Sequence, residues 1–164
     1  MPTYLMQIVN SASIPAQQIQ SPNGKYKLLR RSISQALGGA KDVGTWGGGH
    51  PFDVEQVRIA PGAANFPYHA HAAQWEMYLF LSGSGQVRGP KSTADVAVGD
   101  HVLFKPGEAH QIINTGPDDL VYYVIADQPM ADIATYPDTP GKWAIKPPTR
   151  CFTMNLASYY EPGD

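Results

Sequence analysis

The sequence predicts an all-β protein, built as an antiparallel sandwich or barrel, and three observations support this. Its 164 residues include 16 glycines and 15 prolines, so long uninterrupted helices are not expected. From residue 52 onward, short strand-like segments recur at roughly ten-residue spacing with Gly or Pro between them. Two of these segments, residues 77–81 and 120–126, are continuously apolar, which indicates strands covered on both faces.

Length and charge restrict the classes of function. A chain of this length is expected to form one domain, residues 1–164, with a substantial core. The net charge of -2 excludes the basic surface that nucleic acid or an anionic membrane requires. The single cysteine, Cys151, has no partner for an internal disulfide, which fits a reducing compartment. Residues 1–7 lack the features of a signal peptide, and no apolar run reaches membrane length, so a cytoplasmic protein is expected.

The first 51 residues predict an irregular N-terminal arm. Within it, residues 5–9 and 25–33 are strand-like, the second as an edge strand. A short helix is expected within residues 11–20 or 32–37. Such an arm can close an open end of a barrel or reach a second subunit.

The barrel core is expected at about residues 52–127. Its predicted strands are residues 53–60, 76–81, 86–88, 95–98, 102–104, 110–114 and 120–126. Gly83-Ser84-Gly85 is interpreted as a hairpin turn, and Pro61-Gly62 and Pro106-Gly107 as further turns. Residues 128–164 form a proline-rich tail that is expected to wrap around the barrel surface.

Two histidines and a glutamate precede the first strongly apolar strand. His69 and His71 are two residues apart, so on a strand both side chains project from one face. Glu76 follows His71 by an odd number of residues, so residues 72–75 must bulge or turn to bring it to the same side. Beyond that point, Tyr78 and Phe80 share the face of Glu76.

A third histidine, His110, follows the turn at Pro106-Gly107 and shares a strand face with Ile112 and Asn114. If the two strands are neighbours, three imidazoles and one carboxylate converge. Such a donor set suits one divalent transition metal (Fe, Mn, Zn, Ni, Co or Cu) and leaves positions for water or substrate.

These residues resemble the two motifs of the cupins. The first motif matches Gly62, His69-Ala70-His71, Glu76 and Gly83, and the second matches Gly99, Gly107, His110 and Asn114. Lys105 stands where the second motif has its first proline, and the Gly62-to-His69 gap is one residue longer than usual. The resemblance implies a double-stranded β-helix, the cupin jelly-roll barrel, with His69, His71, Glu76 and His110 as metal ligands. It also implies a homodimer paired through edge strands.

The wider sequence is similar to one bacterial group of single-domain cupins, some of which are labelled as sugar-phosphate isomerases. The similarity is carried by residues 69–76, 107–111, 121–127 and 136–138, together with Lys142-Trp143. It implies much about fold and metal site and little about substrate, because this fold supports many reactions.

Further residues receive predicted roles from their strand positions. Tyr78 is the candidate catalytic acid–base group. Phe80, Ile112 and Tyr123 are predicted to line a substrate cavity, although Tyr78 and Phe80 also fit a filled core, and alternation does not distinguish Tyr122 from Tyr123. The residues expected to anchor the tail or contact a second subunit are Asp127, Tyr136, Asp138 and Trp143.

Three functions remain open from the sequence. The first is a metalloenzyme acting on a small oxygen-rich molecule, as an isomerase or a dioxygenase. The second is a non-catalytic module that binds a small ligand through the metal, which the lack of an obvious second acid–base residue favours. The third is a structural or dimerising barrel with a vestigial site.

Overall fold

A computed structural model describes residues 6–159, and the predicted all-β class is confirmed by thirteen strands within that range. The first seven strands are β1 (Gln17–Gln20), β2 (Lys27–Ser32), β3 (Phe52–Ile59), β4 (Ala70–His71), β5 (Glu76–Ser82), β6 (Ser84–Arg88) and β7 (Thr93–Ala97). The others are β8 (His101–Phe104), β9 (Gln111–Ile113), β10 (Leu120–Asp127), β11 (Asp132–Thr135), β12 (Lys142–Lys146) and β13 (Arg150–Thr153). The helical segments are α1 (Ile33–Ala36) and two single 3-10 turns, Ser11–Ser13 and Thr45–Gly47.

The strands form three antiparallel sheets. Six strands pair in the order β1-β2-β3-β10-β5-β8, three in the order β7-β6-β9, and four in the order β13-β12-β11-β4. The main apolar core lies between the six-stranded and three-stranded sheets. It includes Val57, Ile59 and Phe80 from the first sheet, and Val87 and Ile112 from the second. This arrangement is the predicted jelly-roll barrel.

Strand β3 changes character along its inward face. Val57 and Ile59 are buried in the core, as the alternation of the sequence predicts. Asp53 and Glu55 lie on the same face, nearer the start of the strand, and are buried as well. The barrel interior therefore contains charged side chains at one end, whereas its other end is apolar.

The predicted hairpin turn at residues 83–85 is wrong. Ser84 and Gly85 belong to β6, and only Gly83 separates that strand from β5. The two strands do not pair with each other, because β5 pairs with β10 and β8 whereas β6 pairs with β7 and β9. Gly83 has a φ of 77°, and a Cβ there would lie 2.5 Å from the carbonyl oxygen of Asp119. Glycine thus permits the chain to pass directly from one sheet to the other.

The prediction that β5 is covered on both faces is also wrong for the single chain. Tyr78 and Phe80 are buried, whereas Met77 and Leu81 on the opposite face are each 36% exposed. The predicted edge strand of the arm is likewise interior, since β2 pairs with β1 on one side and β3 on the other. The arm thereby widens the sheet by two strands.

The tail is more regular than predicted. Strand β11 pairs with β4, placing Ala134 opposite His71, and β12 and β13 extend that sheet. Arg88 secures the following turn, because its guanidinium donates to both carboxylate oxygens of Asp138 at 2.6 and 2.9 Å. The tail is therefore a wall of the barrel end that contains the histidines.

Part of the predicted strand at residues 5–9 lies outside the described residues, and residues 6–9 have no regular structure. The predicted short helix corresponds to α1 and to the turn at Ser11–Ser13. Within residues 6–159, no helix has the length and apolar character needed to cross a membrane.

Candidate metal centre

Backbone pairing brings the two histidine segments together. His69 and His110 exchange two backbone hydrogen bonds, of 3.2 and 2.8 Å. His71 ends β4, and Glu76 begins β5. Between them the chain leaves strand geometry, as the odd spacing requires. The backbone N–H groups of Ala73 and Trp75 donate to the carboxylates of Asp132 and Asp127, each at 2.8 Å.

Three of the four predicted ligands form one group, and the fourth, His71, lies beside it. Ligand atoms of His69, Glu76 and His110 are all within 4.8 Å of one another. His71 approaches the same carboxylate, with its Nε2 3.6 Å from Glu76 Oε1, and its ring centre is 4.9 Å from that of His69. The three histidines are buried and Glu76 is partly buried, and the group of His69, Glu76 and His110 can hold a metal ion.

The hydrogen bonds of the three imidazoles point their free nitrogens inward. The Nδ1 atoms of His69 and His110 lie 2.8 and 3.0 Å from the carbonyl oxygens of Pro67 and Glu108. His71 Nδ1 lies 2.5 Å from Asp132 Oδ2. All three partners accept hydrogen bonds, so with a metal bound each Nδ1 carries the proton and each Nε2 offers its lone pair. Without a metal, His110 Nε2 instead donates to Glu76 Oε2 at 2.7 Å. The donor set therefore fits the predicted transition metal.

Burial and neighbouring charges favour the ligand forms of these groups. Burial, together with the nearby His110, lowers the pKa of His69 from 6.5 to about 4, so its imidazole is neutral at pH 7. Burial alone would raise the pKa of Glu76, but the hydrogen bond from His110 and the neighbouring imidazoles hold it far below the ordinary value. A neutral imidazole and an ionised carboxylate are the forms that bind metal.

The His69 pKa predicts that the metal-depleted protein loses stability on acidification. The unfolded chain protonates this imidazole near pH 6.5, whereas the folded chain does so only at about pH 4. The unfolded state binds more protons between these values, so the free energy of unfolding falls as the pH falls from 6.5 to 4. The expected loss is about 3 kcal/mol, measured by urea unfolding of chelator-treated protein at several pH values.

The matched control is His69→Gln, which removes the titrating group and should flatten this part of the stability profile. Equal unfolding free energies at pH 7 and pH 4.5 in the unsubstituted protein would contradict the expected effect of burial on His69.

A cavity of about 450 Å³ opens over the cluster. It is lined by His69, His71, Glu76 and Tyr78, and by residues of both extensions. The Tyr78 hydroxyl donates to Glu76 Oε2 at 2.7 Å and lies 3.2 Å from His110 Nε2. Burial and the adjacent Glu76 carboxylate raise the pKa of Tyr78 well above 10. Tyr78 is therefore placed at the cluster as a protonated hydrogen-bond donor, and it is unsuited to act as a base near neutral pH.

Three of the predicted cavity residues are elsewhere. The prediction for Tyr123 is wrong, because Tyr122 is 1% exposed and lines the cavity while Tyr123 lies on the other face of β10. Phe80 and Ile112 are 1% and 0% exposed and belong to the apolar core. Phe80 has the predicted inward face but lies deeper along β5 than Tyr78, where its ring packs 5.6 Å from Tyr122. Alternation indicates the face of a side chain and not its depth.

The cavity also contains residues that the sequence reasoning missed. Tyr136, expected only to anchor the tail, lines the cavity with its ring centre 6.2 Å from that of His69. Asp132 orients His71 from a position 61 residues along the chain, a distance that no local pattern bridges. The sequence did indicate that Glu55 faces inward, since it shares the strand face of Val57 and Ile59. The other charged residues in the lining are Arg30, Lys41, Asp42 and Lys146.

Comparison with known proteins agrees with this geometry. Residues 55–126 match the model of the cupin domain family. An oxalate-binding protein of Thermotoga maritima is 29% identical over 70 residues, which are 43% of this chain and 57% of the length of that relative. The chain thus spans little more than half of the curated relative that it matches.

Several solved structures share the fold. A candidate sugar phosphate isomerase from Acidithiobacillus ferrooxidans superposes with a TM-score of 0.74 at 22% identity, covering 92% of each chain. A sugar phosphate isomerase of the cupin superfamily from Silicibacter pomeroyi gives 0.74 at 19% identity, covering 90% of this chain and 92% of that one. A predicted oxalate decarboxylase from Thermotoga maritima gives 0.62 at 21% identity, covering 75% and 100%. The first two superpositions extend over both the arm and the tail regions as well as the barrel.

Proposed function

Residues 55–126 match the cupin domain family, and from this premise we propose that the protein is a cupin and a metal-dependent enzyme acting on a small, oxygen-rich molecule. The observation that carries the proposal is the convergence of three inward-facing imidazole Nε2 atoms and the Glu76 carboxylate beside a cavity of about 450 Å³. A cavity of this size suits a small-molecule ligand. A bound transition metal would supply Lewis acidity there.

The residues of the chain have separable roles in this proposal. His69, His71, Glu76 and His110 would hold the metal, and Asp132 would keep His71 in the tautomer that leaves Nε2 free. Tyr78 donates a hydrogen bond to Glu76 and helps to keep that carboxylate ionised and oriented. The apolar core below the cavity excludes water from one side of the site.

Isomerisation of a sugar phosphate is our first candidate reaction. It is supported by the descriptions of two similar structures and by the cavity lining, which offers Arg30, Lys41 and Lys146 as partners for an anionic group. Oxygen-dependent cleavage is the alternative chemistry for an iron-bound site. Binding without turnover is the alternative function, which the oxalate-binding relative favours.

Metal-loaded protein separates these functions. We expect stoichiometric metal by elemental analysis, followed by interconversion of one or more aldose and ketose phosphates under nitrogen, detected by NMR. Oxygen uptake with catechols, diketones or keto acids would indicate a dioxygenase and contradict the isomerase proposal. Saturable binding of oxalate or a sugar phosphate, measured by calorimetry and without turnover, would indicate a binding module and contradict the enzyme proposal. Failure to retain any metal after loading would contradict all of these functions.

We also propose that the protein is a homodimer, formed through the outer face of the six-stranded sheet. Met77, Leu79, Leu81 and Leu103 project from adjacent strands β5 and β8 on this face, and Leu103 is half exposed. Contiguous exposed apolar side chains of this kind mark interaction surfaces. Light scattering should give twice the chain mass of 17.8 kDa.

Introducing a charge tests this surface. Leu103→Lys should reduce the measured mass to that of one chain, whereas Val98→Lys, at an exposed turn outside the face, should leave the dimer intact. A wild-type mass of one chain across the concentration range would contradict the proposal.

A further inference from the structure

A second group of buried charges borders the same cavity and is distinct from the histidine cluster. Lys41 Nζ lies 2.5 Å from Glu55 Oε1 and 3.0 Å from Asp53 Oδ2. Arg30 Nε lies 3.6 Å from Glu55 Oε1. Lys41 comes from the loop after α1, Arg30 from β2, and both carboxylates from the inward face of β3. The N-terminal arm and the barrel therefore build this group together.

The two oxygens of Glu55 have different surroundings. Oε1 receives the hydrogen bond from Lys41 and faces Arg30, whereas Oε2 accepts no hydrogen bond from any of residues 6–159. Glu55 is also one of the residues that line the cavity. Its carboxylate is thus anchored through Oε1 at the cavity wall.

Asp53 provides an internal comparison. It also pairs with Lys41 and is buried, but it does not line the cavity. One carboxylate would be enough to tie the Lys41 loop to β3. A second buried carboxylate adds a desolvation cost of several kcal/mol, which is tolerated where the group has a use.

We propose that Glu55 is the base that moves a substrate proton in the cavity, and that Lys41 is the positioning residue that orients it. This inference rests on the proposed isomerase function. It identifies an acid–base group for that reaction, a role for which Tyr78 is unsuited. Like Glu55, Tyr78 and Tyr122 line this cavity, and the charge of Glu55 adds to the effect of burial in raising the pKa of both phenols.

The proton transfer balances within the substrate. Glu55 Oε2 takes the proton from the carbon next to the substrate carbonyl, and the C–H electron pair forms the carbon–carbon double bond of an enediolate. The negative charge passes to the former carbonyl oxygen. The protonated Glu55 then returns the proton to the neighbouring carbon, and proton movement between the two substrate oxygens completes the exchange of aldehyde and ketone. No oxidant or reductant is consumed.

The electrostatics of the site are compatible with this role. Burial raises the pKa of Glu55 above its usual value, towards the range in which a carboxylate both accepts and returns a proton. The attraction of Glu55 and Asp53 raises the pKa of Lys41 although its burial opposes this, so Lys41 remains a cation. The charged and titratable groups that face Glu55 are Arg30, Lys41, Asp53, Tyr78 and Tyr122.

The test compares Glu55→Gln with Asp53→Asn in metal-loaded protein. Each protein is incubated with aldose and ketose phosphates in deuterium oxide, and incorporation of deuterium next to the carbonyl is followed by NMR. We expect Glu55→Gln to slow incorporation by about 100-fold to 10,000-fold with unchanged metal content. Asp53→Asn, which removes a Lys41 partner but no cavity carboxylate, should slow it by less than about tenfold.

Incorporation at the wild-type rate in Glu55→Gln overturns the inference and leaves the isomerase proposal standing. Equal losses in both variants, with equal loss of stability to urea, also overturn it, because Glu55 then acts only through the ion-pair group. If the wild-type protein exchanges no substrate of the panel, the isomerase proposal fails and the base assignment fails with it.

A second measurement does not depend on turnover. The chain has four glutamates, so carboxyl-labelled glutamate gives a simple carbon-13 spectrum in which Glu55 is identified by its absence from Glu55→Gln. In metal-depleted protein, the Glu55 signal should titrate above the ordinary glutamate value of about 4.3, and Lys41→Met should move the midpoint upward. A midpoint at or below the ordinary value, or one that Lys41→Met leaves unchanged, overturns the inference.

Discussion

Replacing His110 with alanine is expected to abolish stoichiometric metal binding. His110 is fully buried, its Nε2 lies 2.7 Å from Glu76 Oε2, and its ring centre lies 4.8 Å from that of His69. Removal of outer partners of metal ligands typically costs 10-fold to 100-fold in affinity, so loss of a ligand itself should cost more than about 100-fold. Elemental analysis after metal loading and desalting, with chelator competition for the affinity, measures this effect.

His101→Ala is the matched control. His101 is exposed at the start of β8, and its Nδ1 contacts the Gly99 carbonyl oxygen at 3.0 Å, away from the cluster. We expect it to bind metal as the unsubstituted protein does. His110 also stacks on Phe104 with ring centres 4.2 Å apart, so circular dichroism must show that His110→Ala is folded before its metal content is compared. Retention of wild-type metal content by a folded His110→Ala protein would show that the ligand assignment is wrong.

Asp132→Asn should lower metal affinity by about 10-fold to 100-fold without removing any ligand. Asp132 accepts from His71 Nδ1 at 2.5 Å through one oxygen and from the Ala73 N–H at 2.8 Å through the other. Asparagine has the same size but only one acceptor oxygen, so it cannot satisfy both donors. The substitution therefore loosens the orientation of His71 or the position of the segment between the two ligand strands.

The control for Asp132→Asn is Asp138→Asn in the same tail. Asp138 pairs with Arg88 on an exposed surface, where an ion pair contributes little to stability, so metal affinity should not change. Equal affinities of Asp132→Asn and the unsubstituted protein in chelator competition would mean that the hydrogen bond to His71 does not support the site.

The predicted ligands could be identified because the features that mark them are local, although His69 and His110 meet only through the pairing of their two segments. Alternation along a strand places His69 and His71 on one side, and the odd spacing to Glu76 requires the interruption that residues 72–75 provide. Glycines at turns with positive φ, such as Gly99 and Gly107, separate the strands that carry the second motif. None of these features depends on a distant part of the chain.

The cavity was less predictable because its walls come from distant segments. Whether Tyr122 or Tyr123 faces inward depends on the register of β10 between β3 and β5, since both residues lie within one continuous apolar run. Phe80 has the predicted face, yet packing against Tyr122 assigns it to the core and leaves Tyr78 beside the histidines. How deeply a side chain on a strand is buried depends on the segments that pack over that strand.

By itself, the sequence determined the all-β class and the candidate metal ligands, because strand periodicity and turn residues act over a few neighbouring positions. The jelly-roll barrel was implied by the resemblance of its two motifs to those of the cupins. Only the tertiary structure decided which groups surround those ligands. Asp132 reaches His71 because β11 pairs with β4, and Lys41 reaches Glu55 because the arm folds against β3. Such contacts join residues from 14 to 61 positions apart, and sheet order, rather than any local pattern, determines that they meet.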